Sequence, residues 1–161
     1  MAKAPKKSKR FKYNLQKVLK FRETKETIEQ DKFTKKQQEY DEEKRKEDEL
    51  KAFQLQKYHE LSDVLYNKDG FIDFHQVEMR KAHLDIVKKD VEKQEVLRQE
   101  AEEEKDKQRE VLIEAKKDKQ ILDKDKEKKK DRWKLFMRRE EEKELGEIAT
   151  QKFIRKQRSE G

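Results

Sequence analysis

The 161 residues include 45 Lys or Arg and 38 Asp or Glu, so 52% of the chain is charged against 30% hydrophobic, and the mean hydropathy is −1.52. That composition excludes an ordinary globular core and leaves a coiled coil, a solvated ion-paired helix or disorder. One Pro, at position 5, and three Gly leave almost no helix breakers, which favours helix from residue 11 to 157.

The absence of Cys removes disulfides, thiolate metal sites and thiol catalysis. No apolar run approaches the length of a membrane span or a signal-peptide core, so the chain reads as soluble and unexported. Of the net charge of +7, five charges come from Lys3, Lys6, Lys7, Lys9 and Arg10. Acids and bases alternate along the remainder, so the basic surplus reads as a short tail rather than a nucleic-acid-binding stripe. Residues 1–10 lack periodicity and read as a disordered basic tail able to touch phosphates or an acidic membrane surface.

From Phe11 the spacing of Phe11, Leu15, Val18, Leu19 and the stem of Arg22 predicts a helical stripe. Phe21, Ile28, Phe33 and Tyr40 continue it sparsely, and Leu50, Phe53, Leu55, Tyr58, Leu61, Val64 and Leu65 thicken it. Opposite charges four apart, such as Asp31 with Lys35, Asp41 with Arg45, Glu42 with Lys46 and Glu47 with Lys51, each contribute about 0.2–0.5 kcal/mol, so packing still decides the helix.

Residues 67–73 are the one convincing interruption. Gly70 can take the left-handed conformation that ends a helix, Asp73 can cap the next one with Gln76 reaching back, and Ile72 and Val77 have the spacing of a hydrophobic staple. An EF-hand reading of the same stretch fails on its ligands: with Gly70 at loop position 6, Leu65 and Gln76 occupy the first and last positions.

Beyond the turn a heptad repeat runs through Val87, Gln94, Ala101, Gln108, Ala115, Leu122, Lys129 and Phe136, with Val91, Leu112 and Trp133 between. The polar members predict a weak two-stranded seam whose partner is the first helix, although the stretch from Glu100 to Arg132 also suits a free-standing ion-paired helix. The fold class is therefore all-α: two long helices in an antiparallel coiled-coil hairpin spanning 11–157, the second longer than the first, with 158–161 a disordered end. Equal counting from Gly70 places Phe11 opposite residue 129 and leaves an overhang of about 40 Å. Trp133, Phe136, Met137, Leu145, Ile148, Ala149 and Phe153 make an apolar stripe there with no intramolecular partner, the mark of a protein-binding surface, with a fold-back or a homodimer as the competing reading.

His59, His75 and His83 lack the spacing of a zinc site, no phosphate-cradling Gly-rich loop exists, and the carboxylates alternate with Lys rather than lining a pocket. The sequence predicts no enzyme, no metal and no cofactor.

The opening Phe11-Lys12-Tyr13-Asn14-Leu15-Gln16-Lys17-Val18-Leu19-Lys20-Phe21-Arg22 resembles the amino-terminal signature of the FliJ family of flagellar export proteins. Glu142-Lys143-Glu144-Leu145-Gly146-Glu147-Ile148-Ala149-Thr150-Gln151-Lys152-Phe153 is similar to that family's terminal pattern, with Gly146 where an acidic residue is usual. The resemblance implies a cytoplasmic, non-enzymatic coupling protein of the flagellar type III export apparatus, peripherally associated with the inner membrane. It would bind the hexameric export ATPase like a rotary stalk, and touch the membrane export gate and the chaperones of late substrates. Small-molecule substrates and specific nucleic acid are not implied. Carried onto this sequence, the ring contact falls on Phe11, Leu15, Val18, Leu19, Arg22, Trp133, Phe136, Leu145, Ile148, Ala149 and Phe153. The gate contact falls on Leu55, Tyr58, Leu61, Phe74, Val77 and Leu84, which the seam of the hairpin explains equally well. The alternative is a generic coiled-coil scaffold or a nucleic-acid-associated protein that binds through its basic tail.

Overall fold

A computed structural model describes residues 10–66 and 70–159. Two helices account for nearly all of it: α1, Gln16–Leu65, 50 residues, and α2, Phe74–Ser159, 86 residues, with no strand among the described residues. The chain divides into two compact units, one formed by residues 26–114 and the other by residues 1–25 with 115–161. In each, the helices pair antiparallel, as a hairpin requires.

At the reversal the left-handed Gly70 and the Asp73 cap form as expected. Gly70 has φ 75°, a left-handed backbone available to Gly at little cost. Asp73 Oδ1 accepts from the backbone N–H of His75 at 3.0 Å and of Gln76 at 3.2 Å, satisfying two donors that the first turn of α2 would otherwise leave orphaned. The expected turn also includes Asn67, Lys68 and Asp69, which lie outside the described residues.

Burial along both helices follows a heptad. From Leu15, just before α1, the less exposed positions include 15, 19, 22, 26, 29, 33, 36, 40, 43, 47, 50, 54, 57, 61 and 64, in alternating steps of four and three. On α2 the same rhythm runs through 77, 80, 84, 87, 91, 94, 98, 101, 105, 108, 112, 115, 119, 122, 126, 129 and 133. The repeat expected from Val87 to Lys129 is therefore the seam, while Phe136, expected to extend it, is half exposed. A stripe repeating every 3.5 residues keeps each helix facing its partner.

Of the stripe expected along α1, Leu19, Arg22, Phe33, Tyr40, Leu50, Leu61 and Val64 lie on the seam, whereas Val18, Phe53, Leu55, Tyr58 and Leu65 are exposed. Phe21 and Ile28 point outward, whereas Glu29 and Glu47 are buried at seam positions. Polar partners on α2 make this tolerable in residues 26–114. Gln108 donates to Glu29 Oε2 at 2.6 Å and lies 3.4 Å from the Glu29 carbonyl oxygen. Two heptads on, Gln94 repeats the arrangement with Glu43, at 2.5 Å to Oε2 and 3.2 Å to the carbonyl oxygen. Arg98 Nε donates to Glu47 Oε2 at 2.6 Å, and its Nη1 to Glu102 at 2.6 Å. No buried side-chain polar atom among the described residues lacks a partner, so desolvation is compensated at each polar layer. Lys105 Nζ also sits 3.9 Å from the centroid of the Tyr40 ring, adding a cation–π contact at the seam.

Of the charged pairs expected along α1, Glu42–Lys46 (3.5 Å) and Glu47–Lys51 (2.6 Å) form. Asp41 instead accepts from Gln37, and Arg45 pairs with Glu49.

Candidate partner-binding surfaces

At the chain ends, the segment 11–15 precedes α1 and is not helical, contrary to the expectation of helix from Phe11. Residues 11–13 carry no regular structure, Asn14 and Leu15 form a turn in which the Gln16 N–H donates to the Tyr13 carbonyl oxygen at 3.3 Å, and Phe11 and Tyr13 reach α2. The Phe11 and Trp133 rings pack at 6.0 Å between centroids with an interplanar angle of 53°. Trp133 therefore has an intramolecular partner, which corrects its place in the unpartnered stripe, and Phe11 meets a residue one helical turn beyond the position given by equal counting. Residues 11–15 are not helical, so counting at the helical rise per residue does not apply to them.

Tyr13, within the opening motif but outside the expected ring contact, is buried. Its hydroxyl donates to Asp125 Oδ2 at 2.7 Å and lies 3.3 Å from the Leu122 carbonyl oxygen. Burial first, and then the hydrogen bond to the Asp125 carboxylate, push the phenol up to about 12. Asp125 is held below the usual carboxylate range by its hydrogen bonds from Lys129 and Tyr13. Lys129 also lies 5.3 Å from the centroid of the Tyr13 ring. The aromatic pair Phe11 and Tyr13 ahead of the helix is the sequence signal of this cluster.

Among the other residues expected at the ring contact, Leu19 is the fully buried side chain, at 1% exposure, and Leu15 is half-buried. Arg22 forms an ion pair with Asp118. Val18 and Phe136 are exposed. Every residue from Glu141 to Ser159 is exposed, including Leu145, Ile148, Ala149 and Phe153, with Ile154 beside them. The structure thus splits the expected group: Phe11, Leu15, Leu19, Arg22 and Trp133 join 11–25 to α2, while the last turns of α2 present apolar side chains to solvent. A shallow depression lined by Trp133, Met137, Arg138, Glu141 and Glu144 adjoins the aromatic pair.

The expected gate residues split in the same way. Val77 and Leu84 are buried in the seam and Leu61 is half-buried, whereas Leu55, Tyr58 and Phe74 are exposed. Around the turn, Tyr66 (82% exposed), Phe71 (88%) and Met79 also face solvent, and none of these three was chosen from the sequence. These side chains are apolar and individually exposed on both sides of the turn.

Charge is segregated, which corrects the reading of an evenly alternating shaft. Residues 26–114 hold 18 basic and 26 acidic residues, a net −8, while residues 10–25 and 115–139 hold 18 basic and 6 acidic residues, a net +12. Residues 140–159 balance at five of each. The small surplus outside the tail is the sum of large opposed regional charges.

Among the described residues no cluster of His, Asp and Glu could hold a metal ion, and no helix is long and apolar enough to cross a membrane. Compared with protein families, the chain matches Flagellar FliJ protein over residues 11–158. No curated protein and no solved structure matches it. The match takes in both end motifs, the turn and the whole seam, and so the chain belongs to the flagellar FliJ family, whose members serve flagellar export.

Proposed function

We propose that this chain is a non-enzymatic coupling protein of the flagellar export apparatus, which engages the hexameric export ATPase through its chain-end region and the membrane export gate through the region of its turn. The observation that carries the reading is the run of exposed apolar residues on the last turns of α2, Leu145, Ile148 and Phe153, beyond the Phe11–Trp133 contact. An apolar helix face left in water is a docking surface for another protein. Tyr13, Leu19 and Trp133 act as positioning residues, since they fix 11–25 against α2.

At the turn, the exposed Leu55, Tyr58 and Phe74, together with Phe71 and Met79, are the gate-facing candidates, with Val77, Leu84 and Leu61 supporting them from the seam. Late-substrate chaperones share these surfaces. A cytoplasmic location at the inner membrane follows from the partners.

The test is co-sedimentation with the organism's export ATPase, comparing the full chain with one ending at Glu140. That truncation keeps the Phe11–Trp133 contact and removes the exposed run. Binding by the full chain and loss in the truncated chain supports the assignment. Equal binding by both refutes it.

A further inference from the structure

We infer that the basic region formed by residues 10–25 and 115–139 is a docking collar for an enclosing acidic protein surface; this rests on the ring-binding reading above and names the chemistry of that contact. The net charge there is +12, whereas the flanking residues 140–159 are neutral and residues 26–114 are acidic. Keeping so many like charges together costs self-repulsion that a counter-charged partner relieves. Ion pairs such as Arg22–Asp118, Lys129–Asp125 and Lys134–Asp131 form within it, but its 6 acidic residues can neutralise only part of its 18 basic ones.

Placement decides the shape of the partner. The seam of α2 in this unit runs through 115, 119, 122, 126, 129 and 133. On the side away from that seam the heptad series reads Lys117, Lys124, Asp131 and Arg138, three bases and one acid that pairs with Lys134, while Lys130 lies on one flank and Lys128 and Arg132 on the other, all exposed. A flat anionic surface such as a bilayer would favour basic residues on one face with acids behind. Basic residues on the back and both flanks suit a partner that surrounds the helix pair. The collar offers few exposed aromatic residues for base stacking, which disfavours single-stranded nucleic acid. An acidic channel lining would therefore steer the chain end in, leaving the apolar residues beyond it to make the closer contact.

The test uses the full chain with Lys117, Lys124, Lys128 and Lys130 all replaced by Gln, a set of exposed residues outside the ion pairs above. Gln is close to Lys in helix propensity, and the helical circular dichroism signal checks that folding is kept. Binding of the intact and substituted chains to the organism's export ATPase is titrated between about 0.05 and 0.3 M salt, a range over which exposed charge interactions become strongly screened. Four exposed charge contacts together correspond to about a tenfold loss of affinity at low salt. The collar predicts that loss, together with a shallower salt dependence in the substituted chain. Equal affinity and equal salt dependence would overturn the collar while leaving ring binding in place. Absence of ring binding by the intact chain at every salt concentration would overturn the ring reading, and the collar with it. Both chains are also titrated with vesicles containing anionic lipid and with an oligonucleotide. A substitution effect confined to either probe would overturn the acidic-protein assignment in favour of that polyanion.

Discussion

Glu47 gives the sharpest test of whether the polar seam is structural. It is 7% exposed, and its carboxylate accepts from Arg98 Nε and Lys51 Nζ, each at 2.6 Å. Replacing Glu47 with Ala removes a charge-assisted bond between the helices and leaves the Arg98 guanidinium with Glu102 as its remaining partner in this cluster. A hydrogen bond to a charged group contributes about 1.5–3 kcal/mol when desolvated. The Arg98 side chain is 22% exposed and keeps one carboxylate, so we expect a coupling of about 1–2 kcal/mol from a double-mutant cycle of Glu47→Ala with Arg98→Ala. The assay is urea unfolding followed by helical circular dichroism, with the exposed Glu42–Lys46 pair as the reference for an ordinary surface interaction of about 0.3–0.5 kcal/mol. Replacing both partners, Glu47→Leu with Arg98→Leu, separates specificity from stability: an apolar pair at the seam should be neutral or stabilising while weakening the uniqueness of the register. A Glu47–Arg98 coupling no larger than the Glu42–Lys46 reference would refute the claim that these pairs align the helices.

Acid should weaken the hairpin. The carboxyl groups of Glu43, Glu47 and Asp125 are held below their ordinary values, chiefly by hydrogen bonds from Lys46, Lys51 and Lys129 respectively. Their stabilisation is full above the unfolded values near 4.5 and 3.8 and is lost as pH falls through the lower folded values, so the urea midpoint should drop between pH 5 and pH 2; a constant midpoint would contradict the seam geometry. Tyr13 acts at the other extreme. Its neutral phenol stabilises the fold below pH 10, and that contribution disappears as pH rises through about 12. Ultraviolet titration should show a tyrosinate component near 12 that Tyr13→Phe removes, and its persistence in that variant would sink the assignment. The two glycines should respond oppositely to Ala, because Gly70 has a left-handed φ and Gly146 lies within α2, with open space at either Cβ position. Thermal unfolding should show Gly70→Ala destabilised by about 1 kcal/mol and Gly146→Ala stabilised by up to about 1 kcal/mol; effects of the same sign would contradict the backbone assignment.

The turn and the α2 heptad were legible because they depend on local rules: a left-handed Gly, an Asp cap, and a spacing of seven that persists through polar residues. The α1 seam was harder to see. Its buried members include Glu29 and Glu47, whose burial is explained only by Gln108 and Arg98 on the other helix, and a single helix read alone favours Phe21 and Ile28 on hydrophobicity. The late start of α1 is hidden for a related reason, since Phe11, Leu15 and Leu19 fit a helix from Phe11 as readily as the observed helix from Gln16. Only the partner cluster of Asp125 and Trp133 decides between them. Summing charge over the chain concealed the segregation that residue-by-residue placement reveals.

The central claim, that the exposed end of α2 enters a contact with the export ATPase, can be measured directly because the chain contains no Cys. An Ile148→Cys variant carrying an environment-sensitive fluorophore reports on the exposed apolar run, and a Leu55→Cys variant serves as the control near the turn. Addition of the ATPase should produce a saturable blue shift at position 148 and leave position 55 unchanged. An unchanged signal at 148, with the ATPase bound as judged by co-sedimentation, would contradict the account.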